Sequence, residues 1–205
     1  QQVIEDNLHA LAELAGRCTR IAALVGYAEP NPEPVGRPLR NCIALLSGGR
    51  VAARHAKQLL PTYDVFDETR YFEPGEAVQV ASLAGYKLGL TICEDLWNLP
   101  GNGQRQLYRN NPISVLAEAG AELIINLSAS PFTLGKREAK RAMLAHSARR
   151  HALPLLHVNL TGANDDLIFD GGSNAFDARG ERVAQAPYFE EAFLLVDLGE
   201  GPPFT

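Results

Sequence analysis

The chain has 205 residues, of which 46% are hydrophobic, 21% charged and 7% aromatic. This composition is typical of a globular domain and disfavours disordered, collagen-like and coiled-coil proteins. The net charge is −5, from 19 basic and 24 acidic residues, so no strong positive field exists to hold a nucleic acid. No apolar run approaches the roughly 18–20 residues that a membrane span needs, and residues 1–7 lack a signal-peptide pattern. We therefore expect neither a nucleic-acid partner nor a membrane partner.

The first third of the chain predicts a helix followed by antiparallel strands. Leucines at helical spacing indicate an amphipathic helix over residues 5–15. Strands are expected at residues 21–26, 41–46 and 51–57, and residues 47–50 have the glycine-rich chemistry of a hairpin turn between the last two. Local signals thus predict a small sheet with one helix in this part of the chain.

Beyond residue 75, predicted strands alternate with helices. The helices are expected over residues 112–119 and 136–151. The strands are expected at residues 77–81, 86–92, 123–127, 153–158, 173–176, 182–184 and 193–196. Residues 123–127 are apolar except for Asn126, which is typical of a strand buried on both faces, as in a parallel sheet. This pattern predicts sheets that are covered by helices on one face, and the predicted fold class is α/β or α+β.

The segment 58–75 is a candidate functional loop. It contains four aromatic residues and two prolines among polar residues, too irregular for a helix or strand and too aromatic for an idle linker. Lys57 ends the strand that leads into this loop and could supply a positive charge to a site there. A solvated surface lysine is the alternative interpretation.

Cysteine and histidine usage argues against a metal site. The three cysteines, Cys18, Cys42 and Cys93, form an odd number without CxxC spacing, which predicts neither a disulfide framework nor a zinc site. The five histidines show no HExxH or other paired spacing, so no metal is expected. A reducing, cytoplasmic setting fits this cysteine usage best.

Cys93 differs from the other two cysteines because it directly follows the apolar strand predicted at residues 86–92. A strand end can hold a side chain out of the sheet and leave the following backbone N–H groups available to an oxyanion. This position suits a nucleophile, whose thiol would need a cationic neighbour to lower its pKa. The alternative is a buried structural cysteine. Ser130 also lies just beyond a strand, where a hydroxyl can bind a polar ligand or simply form a turn.

Five sequence blocks together resemble a known superfamily. Residues 57–63 (KQLLPTY), 66–72 (FDETRYF) and 92–97 (ICEDLW) are similar, in order and spacing, to the carbon–nitrogen hydrolase, or nitrilase, superfamily. More narrowly, residues 126–136 and 159–171 resemble the glutaminase domains of glutamine-dependent NAD⁺ synthetases. The resemblance covers nearly the whole chain.

The resemblance implies a nitrilase-like α-β-β-α sandwich of the α/β class, with residues 1–205 forming one carbon–nitrogen hydrolase (glutamine amidotransferase) domain. It implies that the domain hydrolyses the side-chain amide of glutamine and supplies ammonia to a separate synthetase domain in cis, which amidates deamido-NAD to NAD. No cofactor is implied for this domain, whereas ATP and Mg²⁺ are implied for the synthetase domain. A homo-oligomer is also expected.

The same resemblance implies roles for six residues. Cys93 would attack the amide, Lys57 would stabilise the oxyanion and Glu68 would be a second, supporting glutamate. The residues implied to bind glutamine are Tyr63, Ser130 and Lys136, the last suited to an α-carboxylate.

One element of the family pattern has no counterpart in the sequence. The proton-transferring glutamate of the family lies in a Pro-Glu block near the start of the domain, and no such block occurs here. We expect that glutamate upstream of Gln1, so that the domain would be partial at its N-terminus. Two other functions stay open: another amidase of the superfamily, such as an ω-amidase or carbamoylase, and a non-catalytic binding module.

Overall fold

The computed structural model describes residues 2–98 and 106–199. These residues form two compact units, Gln1–Ala81 and Ser82–Thr205, and each unit is described by itself. No helix within the described residues is both long and apolar enough to cross a membrane.

The first unit is a three-stranded antiparallel sheet with one long helix. Its elements are α1 (Gln2–Arg17), β1 (Ala23–Pro30), β2 (Leu39–Ser47), β3 (Arg50–Ala56) and a short 3-10 helix, Glu68–Arg70. The strand order is β1-β2-β3. The predicted helix and the predicted hairpin around residues 47–50 are therefore confirmed, and β1 begins two residues later and extends four residues further than expected.

Alternating side chains of β2 build the core of this unit. Leu11 and Ala15 of α1 pack in one cluster with Cys42, Ala44 and Leu46 of β2. Because side chains alternate across a strand, these three residues of β2 share one face. The central strand thus joins the helix to the sheet through small and aliphatic side chains.

The second unit is built on a mixed sheet. Its elements are β4 (Val80–Leu83), within which the division between units falls, β5 (Tyr86–Ile92), a 3-10 helix Cys93–Leu96, α2 (Pro112–Glu118), β6 (Leu123–Ser128), α3 (Lys136–His151), β7 (Leu155–Asn159), β8 (Thr161–Asn164), β9 (Leu167–Asp170), β10 (Asn174–Phe176) and β11 (Arg182–Gln185). The six-stranded sheet has the order β11-β10-β7-β6-β5-β4, and β8-β9 form a separate pair.

Three neighbouring strands of this sheet set the position of the functional residues. Strand β6 pairs in parallel with both β5 and β7. Their carboxyl ends therefore meet at one edge of the sheet, where ligand sites of α/β folds commonly form. The prediction of a doubly buried parallel strand at residues 123–127 is confirmed, since Leu123 and Ile124 are each only 1% exposed.

Two features of the second unit differ from the predictions. The predicted strand at residues 193–196 is wrong: this segment has no strand assignment, and Phe193 and Leu195 are fully exposed. This apolar run pairs with no strand among the described residues. Conversely, the hairpin of β8 and β9 was not predicted, because its first strand, Thr161–Asn164, is polar and mostly exposed.

Candidate active site

Cys93 occupies a strained backbone position at the end of β5. Its φ is +42°, in the left-handed region, which costs a non-glycine residue about 1–3 kcal/mol unless the surroundings hold it there. The amide of Ile92 donates a 3.0 Å hydrogen bond to Oδ2 of the buried Asp95, which closes the turn from the strand into the 3-10 helix. The side chain of Cys93 is half-buried. The predicted strand-end placement of this cysteine is confirmed.

A buried polar network lies directly beside this turn. Asn126 of β6 donates through Nδ2 to Oγ1 of Thr91, at 3.0 Å, and to the carbonyl oxygen of Cys93, at 3.5 Å. Its Oδ1 accepts a 3.0 Å hydrogen bond from the Ser128 hydroxyl and lies 3.0 Å from Nδ1 of His157. In the sequence, Asn126 is distinguished only as the polar exception in an apolar strand.

Asp170, at the end of β9, is the centre of a second buried network. This carboxylate is 1% exposed and lies 3.1 Å from Nε of Arg137 and 3.5 Å from Nζ of Lys140, both on α3. Asn159 donates through Nδ2 to the same carboxylate at 3.3 Å and accepts a 3.0 Å hydrogen bond from the amide of Ser130. The network therefore joins the loop that carries Ser130 to the first turns of α3.

Lys140 is a buried cation that the sequence did not predict. Burial lowers the pKa of Lys140, and the negative charges of Asp170 and of the Cys93 thiolate oppose that shift. The lysine therefore lies within electrostatic reach of Cys93. Its position four residues after Lys136, on the same face of α3, was the available signal.

The predicted glutamine-binding residues of the second unit lie near these networks. Ser130 is buried, and its backbone is held by Asn159. Lys136 begins α3 and is half-buried, with its Nζ 5.6 Å from the centre of the Trp97 ring. A cation over an indole face is partly desolvated, which strengthens its interaction with an anion.

The first unit contains a buried charged pair. Lys57 follows β3 and is 1% exposed, so the interpretation as a solvated surface lysine is wrong. Its Nζ donates a 2.6 Å hydrogen bond to Oε1 of Glu68. Glu68 is the first residue of the 3-10 helix in loop 58–75. The other carboxylate oxygen of Glu68, Oε2, is buried and has no hydrogen-bond partner among the described residues.

Backbone contacts fix the loop around this pair. The Lys57 amide donates to the Asn41 carbonyl, and the Gly75 amide donates to the Lys57 carbonyl, both at 2.8 Å. A Cβ at Gly75 would overlap the carbonyl oxygen of Ala56, so only glycine fits this close approach. Tyr63, on the same loop, is 43% exposed and packs edge-to-face on Phe66.

The structure thus brings Lys57 and Glu68 together in one unit. In the other unit, Cys93 and Ser130 follow the neighbouring strands β5 and β6, and Lys136 begins α3. No group of three or more His, Cys, Asp or Glu side chains that could hold a metal occurs within the described residues. The catalytic and binding roles of the six residues stay predictions.

The architecture is the α/β fold of the nitrilase superfamily, as the sequence motifs predicted. Within it, the chain belongs to the Carbon-nitrogen hydrolase family, whose profile matches residues 3–200.

Curated relatives place the chain beside one type of enzyme in that family. It is 41% identical over 203 residues to a glutamine-dependent NAD(+) synthetase of Synechocystis sp., which covers 97% of this chain and 36% of the relative. A glutamine-dependent NAD(+) synthetase of Thermotoga maritima is 36% identical over 178 residues, covering 87% of this chain and 28% of the relative. The similarity to such synthetases is therefore confirmed, and the chain spans about a third of their length.

Solved structures agree with this placement. The glutamine-dependent NAD+ synthetase of Acinetobacter baumannii, in complex with ADP, superimposes with a TM-score of 0.80 at 30% identity, over 92% of this chain and 33% of that chain. An amidase from Nesterenkonia sp. AN1 matches with a TM-score of 0.72 at 24% identity, over 90% of this chain and 64% of that chain. The second likeness supports the fold alone.

Proposed function

We propose that the protein hydrolyses the side-chain amide of glutamine, with Cys93 as nucleophile. The observation that carries the proposal is the half-buried thiol of Cys93 at a strained strand end, within a chain 41% identical to a glutamine-dependent NAD(+) synthetase. Strand-end geometry of this kind exposes a nucleophile and leaves the following amides available to the oxyanion.

The chemistry divides into two half-reactions. The Cys93 thiolate attacks the amide carbon, a C–S bond forms, and the carbonyl oxygen becomes an oxyanion that Lys57 stabilises. Collapse of this intermediate breaks the C–N bond, and the nitrogen takes up a proton and leaves as ammonia. Water then hydrolyses the thioester to give glutamate and the free thiol. Glu68 supports the reaction by holding the Lys57 ammonium in place.

Glutamine is held by three further residues in this proposal. Lys136 offers a positive charge to the α-carboxylate, and Ser130 and Tyr63 supply hydroxyl groups. The Asp170 network supports this assignment, because it fixes both the Ser130 loop and the start of α3. No residue of this chain is assigned the transfer of protons between the two half-reactions.

The ammonia serves a separate synthetase domain in cis, which uses ATP and Mg²⁺ to amidate deamido-NAD to NAD. This part of the proposal rests on the similarity to glutamine-dependent NAD(+) synthetases of greater length. A reducing cytoplasm and a homo-oligomeric assembly belong to the same proposal.

Ammonia release from glutamine by the full-length protein tests the proposal. We expect release that Cys93→Ala abolishes and that the matched Cys18→Ala leaves unchanged, since Cys18 is buried in the core cluster of the first unit. Faster release from another ω-amide or a carbamoyl compound would favour a different amidase of the superfamily. If none of these amides released ammonia, the result would favour the remaining interpretation, a non-catalytic binding module.

A further inference from the structure

Three polar side chains form a buried row across the parallel strands of the second unit. Thr91 of β5 pairs with Asn126 of β6, and Asn126 pairs with His157 of β7, so the three lie at one level of the sheet. They are 0%, 0% and 4% exposed. Buried polar groups destabilise a fold unless each is hydrogen-bonded, and the neighbouring positions of β6 are aliphatic. A row of this kind is expected where a precise geometry is required.

The amide of Asn126 has one possible orientation in this row. Its two donors are used by the Thr91 hydroxyl and the Cys93 carbonyl, and its oxygen accepts from Ser128 and His157. A flip of the amide would place its oxygen against the Cys93 carbonyl oxygen, which can only accept a hydrogen bond. The Thr91 hydroxyl in turn donates to the Ile125 carbonyl at 3.2 Å, which leaves it free to accept from Asn126.

The protonation of His157 is also determined by its surroundings. Burial, together with the charge of Lys140, lowers the pKa of His157 to about 3, so the ring is neutral at pH 7. Since Oδ1 of Asn126 can only accept, the proton lies on Nδ1 of the imidazole. His157 therefore acts as a fixed donor that orients Asn126.

We propose that Asn126, oriented by His157, is a positioning residue that holds the Cys93 carbonyl and thereby keeps the thiol in its attacking position. The φ of +42° at Cys93 is a sparsely populated conformation that persists only when neighbouring groups determine it. Releasing the carbonyl lets the Cys93 backbone relax, which moves Cβ and Sγ. This inference rests on the proposed role of Cys93 as nucleophile.

The test uses the full-length protein and two readouts. The first is steady-state ammonia release from glutamine, and the second is the rate of iodoacetamide alkylation at Cys93 between pH 6 and 9. We expect Asn126→Leu to lower kcat about 10- to 100-fold with KM within about twofold, because a displacement near 1 Å costs on the order of 100-fold. Alkylation should slow about 10-fold. Ser147→Ala removes another buried hydroxyl, on α3, and should leave both readouts unchanged.

A second pair of variants keeps the inference testable if Asn126→Leu does not fold. His157→Leu removes the donor to Asn126, whereas His157→Asn places an amide donor near the position of Nδ1. We expect His157→Leu to lower kcat and the alkylation rate about 10-fold and His157→Asn to restore both to within about threefold. Equal loss in the two variants would overturn the inference, as would a KM effect without a kcat effect in folded Asn126→Leu.

The two readouts also separate this inference from the proposed function. If the wild-type protein releases no ammonia from glutamine, the proposed function fails and the alkylation rates alone decide. A 10-fold slower alkylation of Cys93 in Asn126→Leu would then support the positioning role. An alkylation profile identical to wild type would overturn it.

Discussion

The Lys57 ammonium donates a 2.6 Å hydrogen bond to one oxygen of Glu68, while the other oxygen of that carboxylate is buried without a hydrogen-bond partner among the described residues. A charge-assisted bond of this length fixes the position of the lysine side chain. Because Lys57 is 1% exposed, removal of its carboxylate partner costs more than at a surface lysine.

Glu68→Gln should therefore damage both stability and activity. The variant removes the carboxylate charge that pairs with the Lys57 ammonium, and we expect a loss of about 2 kcal/mol in the free energy of unfolding. This is below the roughly 3–5 kcal/mol of a fully buried pair because the Glu68 side chain is 20% exposed. Under the proposed function, ammonia release from glutamine should fall about 100-fold, since the lysine proposed to stabilise the oxyanion loses its anchor.

The control for this variant is Glu76→Gln. Glu76 pairs with Arg40 at 3.2 Å but its side chain is 76% exposed, so we expect a change below about 0.5 kcal/mol and full activity. Urea unfolding curves and ammonia assays measure the two effects. Equal changes in Glu68→Gln and Glu76→Gln would contradict a special role for the buried pair.

Cys93 should be the one reactive thiol of the three near neutral pH. Burial, with the nearby Glu29 carboxylate, raises the pKa of the Cys42 thiol to about 12, so it stays protonated. Cys18 is buried in the same core cluster as Cys42. Iodoacetamide labelling followed by peptide mapping should find the label at Cys93. Labelling of Cys18 or Cys42 with Cys93 unmodified would refute this prediction.

Local signals predicted those parts of the fold whose geometry is set by a few neighbouring residues. The hairpin at residues 47–50 follows from Gly48 and Gly49, which both adopt the positive φ that such a turn requires. Helix α3 begins and ends where it was predicted, at Lys136 and His151. The placement of Cys93 at a strand end followed from the apolar run before it.

Features that depend on distant residues could not be predicted in this way. The buried state of Lys140 depends on Asp170, which arrives from β9, thirty residues along the chain. The apolar run at residues 193–196 resembles a strand, yet pairing requires a neighbouring backbone that a single sequence does not reveal. Side-chain networks such as that of Asn126 likewise become visible only once three strands are aligned.

Asp170→Asn should weaken glutamine binding. The change removes the negative charge between Arg137 and Lys140, so the two cations repel each other and the first turns of α3 can shift. Because Lys136 begins that helix, we expect KM for glutamine to rise about 10-fold. Steady-state ammonia release over a range of glutamine concentrations measures the effect.

Glu138→Gln is the matched control on the same helix. Glu138 pairs with Arg141 at 2.9 Å, and its side chain is 79% exposed, so its charge contributes little. KM should stay within about twofold of wild type. A similar rise in KM for both variants would show that any charge change on this part of the protein weakens binding, contrary to our assignment of Asp170.

The buried His157 should make stability depend on pH. Its pKa is lowered from 6.5 to about 3 by burial and by Lys140, so the folded protein keeps the ring neutral over most of the acidic range. In the unfolded chain the ring takes up a proton as the pH falls through 6.5. The unfolded state then binds more protons than the folded state, and the free energy of unfolding decreases as the pH falls below 6.5.

His157→Asn should therefore reduce the acid sensitivity of the fold while lowering its stability at pH 7, where the native imidazole packs best. Between pH 6.5 and 5, the ring is protonated in the unfolded chain but stays neutral in the folded protein, which lowers the free energy of unfolding by about 2 kcal/mol. In His157→Asn this contribution to the acid-induced decrease should be absent. Urea unfolding at pH 7, 6 and 5 measures how steeply the free energy of unfolding changes with pH. His9→Asn is the control, because the His9 side chain is 79% exposed. If wild type and His157→Asn lost stability in parallel between pH 6.5 and 5, His157 would not be held neutral by the fold, and the fixed Nδ1–H donor to Asn126 would lose its basis.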